Sequence, residues 1–273
     1  MFGKYLKKLR ENGALIHNIT NYVTVNDVAN VLLAAGGSPV MADEAEDARE
    51  ITAICGGLNI NIGTLNRNTI KGMVAACEKA SELGHKIVLD PVGAGASSMR
   101  TETAINLMNR FQFDVIKGNI SEIKVLACGK GGAVGVDADI NDRITEKNLD
   151  KAVEFVKKFA CDIKGIVAVT GAIDLISDGK KCFVIRNGRE EMSRITGTGC
   201  QLSALVAAFI TANPEDILGG TAAAVAMMGV AGEIAWENMY RTDGNSTYRN
   251  RIIDAVYNMS GEMLDERERY EIR

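Results

Sequence analysis

The chain is poor in the residues that build several common sites: three prolines, two histidines and one tryptophan in 273 residues. With only His17 and His85 available, a multi-histidine metal centre is excluded. The six cysteines (Cys55, Cys77, Cys128, Cys161, Cys182 and Cys200) are scattered without a CxxC pair. That pattern fits neither a disulfide framework nor a zinc ribbon, and suits reduced thiols in a cytoplasmic protein. No apolar run of about 18 residues passes without a polar break, so no membrane partner is expected. The opening MFGKYLKKLRENGAL reads as a short amphipathic helix and lacks the apolar core of a signal peptide. A net charge of -4 provides no global field for nucleic acid, although a local basic pocket could still hold a nucleotide. There is no GxGxxG at a first βα turn and no GxxxxGK[ST], which argues against a Rossmann dehydrogenase and a P-loop enzyme.

What is present is a rhythm. Hydrophobic residues make up 47% of the chain, enough for a large core. Short Val- and Ile-rich runs at 14–17, 39–41, 58–62, 87–89, 115–116 and 166–169 are bounded by Gly, Pro, Asn or Asp and read as strands. Helix-length stretches such as 26–35, 67–83 and 102–110 separate them. Alternation of this kind predicts an α/β fold, a mostly parallel sheet with helices on both faces, over a single domain spanning 1–273. Past Thr170 the pattern changes to a hairpin, 174–177 and 181–186, turning at Asp178-Gly179-Lys180. Beyond Cys200 the reading is almost wholly helical: 202–211, 216–238 and 248–264.

Ligands of open parallel sheets bind at the carboxyl ends of the strands. Five loops of small and amide residues fall there, around Asn21, Met41, Gly63, Asp90 and Asn119. The most informative turn is Gly197-Thr198-Gly199-Cys200, directly before an apolar helix. Glycines at a helix start leave backbone N–H groups free, and with the helix dipole they favour an anion. That suits the charge on a phosphoryl group in transfer. Cys200, in the first helical turn, is placed either to accept a proton from an alcohol or to position it; alone, such a turn is equally consistent with plain structure. Asp90 and Glu122 are candidate magnesium carboxylates, or simply caps of their turns. Lys117 and Thr170 could contact phosphate, or be a solvated charge and an ordinary strand end. Met41 could line an apolar pocket, or fill core.

Seven segments in register resemble the hydroxyethylthiazole kinase family of the ribokinase-like superfamily: HNITNYVTVNDVAN (17–30), SPVMADEAED (38–47), NINIGTLN (59–66), LDPVGAGAS (89–97), VIKGNISEI (115–123), VTG (169–171) and ITGTGC (195–200). The resemblance implies a ribokinase-like fold and transfer of the ATP γ-phosphate, with Mg²⁺, to the hydroxyl of 4-methyl-5-(2-hydroxyethyl)thiazole. It also implies a homotrimer with active sites between subunits. By the same resemblance Met41 and Gly197 contact the thiazole or its hydroxyl, with Asn21 in the same pocket. Lys117, Thr170 and Asn119 bind ATP, Asp90 and Glu122 support magnesium, and Gly197, Thr198, Gly199 and Cys200 form the anion hole. Related sugar and pyrimidine kinases end the turn in Asp, so Cys200 argues for a thiazole acceptor. One position departs from the family pattern, where arginine is expected instead of Lys117; lysine keeps the charge but not the bidentate fork. The rivals are another enzyme on this fold, a pyrimidine-alcohol kinase or a nucleotide-dependent hydro-lyase, and a non-catalytic thiazole or nucleotide sensor.

Overall fold

A strand buried on both faces needs apolar residues at consecutive positions, and the central runs of this chain have them. The computed structural model describes residues 1–129 and 143–273. In chain order the elements are α1 (Gly3–Asn12), β1 (Leu15–Ile19), α2 (Val25–Ala35), β2 (Ser38–Val40), α3 (Ala45–Ile54), β3 (Gly57–Asn61), α4 (Arg67–Leu83), β4 (Lys86–Asp90), α5 (Ser98–Arg110), β5 (Val115–Asn119) and α6 (Ile120–Gly129). They continue with α7 (Leu149–Ile163), β6 (Ile166–Thr170), β7 (Asp174–Ser177), β8 (Cys182–Ile185), α8 (Thr198–Ala212), α9 (Ile217–Glu237), α10 (Asn245–Asn258), α11 (Gly261–Arg267) and β9 (Tyr270–Ile272).

The strands form one sheet in the order β2-β1-β3-β4-β5-β6-β7-β8-β9. The pairings from β2 to β6 are parallel, and those from β6 to β9 are antiparallel. Successive strand residues serve opposite cores, as the two-residue period requires. Val88, Val115 and Ala168 pack with α1, α2 and α8–α11, whereas Leu89, Ile116 and Val169 pack with α4–α7. Because β1 to β6 run parallel, their carboxyl ends share one edge, and the candidate loops gather there. Among the described residues α9 alone has the length and composition to cross a membrane, but 83% of its apolar window is buried inside the protein, so it is the core helix of this face.

Three expectations need correction. The run read as a strand at 115–116 continues to Asn119, because Lys117, Gly118 and Asn119 register with Ala168, Val169 and Thr170 of β6. Lys117 is therefore a buried strand residue and not a solvated charge. The predicted helix over 248–264 is two helices, broken at Met259-Ser260, where the Ser260 hydroxyl caps α11 by accepting from the Met263 N–H at 3.1 Å. The last strand, β9, went unpredicted; its two hydrogen-bonded ends on β8 are tertiary and leave little mark in a three-residue segment.

Candidate active site

The turn is built on one backbone feature. Gly197 has φ +92, and a Cβ there would lie 2.4 Å from Thr24 Cγ2, so glycine alone fits between α2 and the start of α8. With Gly197 as N-cap, no cap side chain accepts from the first N–H groups of α8 among the described residues.

Beneath the turn lies a buried charged pair. Lys117 (4% exposed) donates from Nζ to the Gly199 carbonyl at 3.0 Å and reaches Asp90 Oδ2 at 3.4 Å. Burial opposes its charge, but Asp90, Cys200 and Glu122 outweigh that and hold the ammonium above its usual range. Asp90 (1% exposed) ends β4, and its Oδ2 also accepts from Asn61 Nδ2 at 2.9 Å and from the Ser203 hydroxyl. Ser203 Oγ lies 3.1 Å from the Gly199 carbonyl as well, so lysine, aspartate and serine together hold the first turn of α8 against the sheet. Asp90 Oδ1 is buried without a hydrogen-bond partner among the described residues.

A second chain of bonds runs from the turn to the β1 loop. Asn21 Nδ2 donates to Cys200 Sγ and to Asn61 Oδ1, both at 3.1 Å, while Asn21 Oδ1 accepts from the Thr24 N–H and hydroxyl. Through Asn61 this chain joins the Asp90–Lys117 pair. Met41, after β2, is half-buried against the core that contains α2 and α8.

Glu122 and Asn119 form a reciprocal cap on α6. Asn119 Oδ1 accepts from the Glu122 N–H at 2.9 Å, and Glu122 Oε2 accepts from the Asn119 N–H at 2.8 Å. Glu122 Oε1 takes the Gly93 N–H at 2.9 Å, tying this cap to the loop after Asp90. Desolvation dominates over these bonds and raises the Glu122 carboxyl above its ordinary value.

Thr170, Thr198 and Gly199 line a cavity of about 650 Å³. Residues 187–190 and Val225, Met228 and Gly229 of α9 also line it, and its size and mixed lining suit a nucleotide. Asp174 also faces this cavity; it accepts from the Gly171 N–H at 2.8 Å, and burial pushes its carboxyl up to about 7.

The sequence-predicted residues thus fall into linked sets. Gly197, Thr198, Gly199, Cys200, Lys117, Asp90 and Asn21 converge through direct bonds or chain adjacency; Thr170 shares the cavity wall; Asn119 and Glu122 pair beside Gly93; Met41 joins only by core packing. Thr24, Ser203 and Asp174 escaped the sequence reading. Ser203 had one signal, a hydroxyl one helical turn past Gly199 in a mostly apolar helix.

Similar molecules place the chain. A ribokinase-like superfamily protein from Enterococcus faecalis superposes with a TM-score of 0.63 at 11% identity, covering 97% of this chain and 89% of its own, a likeness of fold alone. The class defined here is therefore the ribokinase-like α/β fold. The sequence profile of the hydroxyethylthiazole kinase family matches residues 6–262, and the chain belongs to that family. It is 53% identical over 271 residues, 99% of each chain, to a hydroxyethylthiazole kinase of Clostridium acetobutylicum. It also superposes on the hydroxyethylthiazole kinase structure from Pyrococcus horikoshii with a TM-score of 0.88 at 36% identity, covering 100% and 98% of the two chains.

Proposed function

We propose that this chain transfers the γ-phosphoryl group of ATP to the hydroxyl of 4-methyl-5-(2-hydroxyethyl)thiazole, a step of thiamine salvage. The observation that carries the reading is the junction at 197–200, an uncapped helix start above the Lys117–Asp90 pair, opening on a nucleotide-sized cavity. Nucleotide lies between Thr170 and α9, with its phosphates toward Thr198, Gly199 and Asn119. The thiazole lies on the other side of the turn, near Met41, Asn21 and Gly197.

Phosphoryl transfer through a loose transition state needs positioning and charge compensation more than covalent help. The N–H groups at the start of α8 face charge developing on the transferred group. Lys117, already bonded to Asp90 and the Gly199 carbonyl, adds a fixed positive charge directly behind the turn, where a forked arginine contact is not required. Cys200 Sγ, oriented by Asn21, receives or directs the acceptor proton.

Among the described residues no group of three His, Cys, Asp or Glu side chains could hold a metal unaided. Magnesium bound to ATP needs only one or two carboxylates besides phosphate and water. Asp90 Oδ1, without a partner among the described residues, suits such a ligand, and Glu122, spent on backbone N–H groups, would act through water. When bound, the ion neutralises phosphate charge. The whole chain acts as one kinase domain, in the cytoplasm, where its six free cysteines stay reduced. It assembles as a trimer with sites between subunits, a reading supported by Tyr22 (78% exposed) and Val23 beside Asn21.

A panel of alcohol acceptors assayed for ADP release with Mg²⁺ tests the acceptor. Release confined to the hydroxyethyl thiazole is expected; equal release with a hydroxymethyl pyrimidine would favour the rival kinase, and none with any alcohol the sensor.

A further inference from the structure

One wall of the cavity is held from behind by residues that do not line it. Asn187, Gly188 and Arg189 form that wall, facing Gly229 of α9. A Cβ on Gly229 would lie 2.7 Å from the Asn187 carbonyl carbon, so the helix and the wall touch at backbone distance. One helical turn further along α9, Glu233 is buried behind the contact. Its Oε1 accepts the Gly188 N–H at 2.7 Å and the Arg269 guanidinium at 2.7 Å. Arg269 also donates to the Arg186 carbonyl at 2.8 Å, and its own N–H goes to Asn187 Oδ1 at 2.7 Å. Asn187 Nδ2 completes the knot with the Arg267 carbonyl at 2.9 Å.

Gly188 has φ +113, and glycine, lacking a Cβ, could turn its peptide in other directions as well. A carboxylate behind it decides that direction, because a buried N–H left unpaired is costly and a charged acceptor holds it more strongly than a neutral one. The next residue, Arg189, also lines the cavity, with its guanidinium over the Trp236 ring at 5.3 Å and paired with Glu191 at 3.0 Å, so the set of Gly188 carries on along the wall.

We propose that Glu233 is a positioning residue for the nucleotide: with Arg269 of the C-terminal segment as charge partner, it fixes the 187–189 wall of the cleft. This rests on the reading of that cleft as the ATP site. Glu233 acts through Gly188 and does not touch the ligand, so its loss is felt in nucleotide affinity and not in the chemistry at Cys200.

The test pairs calorimetric titration of the non-hydrolysable β,γ-methylene analogue of ATP with steady-state kinetics. Glu233→Ala is expected to weaken the analogue and raise KM for ATP about tenfold, with kcat and KM for the thiazole within about twofold of wild type. Glu233→Gln keeps an acceptor for Gly188 but not the ion pair, and Arg269→Ala removes the partner from a largely exposed position; each is expected to lose about threefold. Should Glu233→Ala not fold, those two carry the test. Wild-type affinity in every folded variant overturns the inference, as does an equal loss in kcat and both KM values. A wild-type protein that binds no analogue overturns the reading of the cleft and this inference with it.

Discussion

In the proposed reaction Cys200 is the residue that meets the acceptor hydroxyl. Its sulfur accepts from Asn21 Nδ2 at 3.1 Å, which sets its position in the turn. Cys200→Ala is expected to lower kcat about 10- to 100-fold while KM for the thiazole changes less than about threefold. Steady-state kinetics check this, and unchanged turnover would reduce the thiol to packing. Asp174 makes a different prediction. Its carboxyl ordinarily titrates at 3.8, but burial raises it to about 7 in the fold. Between those values the folded protein keeps a proton that the unfolded chain releases, so stability falls as pH rises through that window. Asp174→Asn retains an acceptor for the Gly171 N–H and removes this loss. Thermal melts should show the variant gaining on the order of 1 kcal/mol over wild type between pH 5 and 8, or roughly 2–4 °C in Tm. A pH-independent difference would contradict the assignment. At this scale the sequence could point to Lys117 but not to its situation. A lysine followed by Gly and Asn looks solvated, and only the ladder to β6 and the Asp90 carboxylate make it a buried cation.

At the scale of elements, the start of α8 depends on a glycine that cannot be replaced. Gly197→Ala would place a Cβ 2.4 Å from Thr24 Cγ2 at φ +92. Strain and clash together should cost about 2 kcal/mol and lower Tm by roughly 4–8 °C. Gly13, with φ +66 but open space around it, is the control: Gly13→Ala carries the backbone strain alone and should cost less. Equal Tm losses in the two variants would show that packing against α2 does not constrain the turn. Helix and strand types were legible from period, since long amphipathic stretches such as α4 keep their pattern end to end. Boundaries were lost where tertiary pairing decides. β5 runs on through polar residues, Ser260 breaks what hydropathy joins, and β9 exists only because β8 is there to pair with it.

Across the whole molecule, one sheet collects the strand ends of β1 to β6 at a single edge, and the chain returns there from its last third to lay the N-terminus of α8 over them. The two ends of the chain also meet: the Met1 amine pairs with Glu268 at 2.8 Å, and Phe2 packs on Tyr270 and Phe183. The C-terminal segment thereby reaches the back of the 187–189 cavity wall through Arg269. This closure joins residues more than 180 positions apart, which no local pattern could reveal, whereas the strand-end loops were legible because parallel topology dictates where they gather. The central claim is that this edge phosphorylates a thiazole alcohol. Incubation with ATP, Mg²⁺ and 4-methyl-5-(2-hydroxyethyl)thiazole, followed by mass spectrometry of the small molecules, tests it most directly. The account predicts the thiazole phosphate ester in one-to-one ratio with ADP; ATP returned intact beside unmodified thiazole would contradict it.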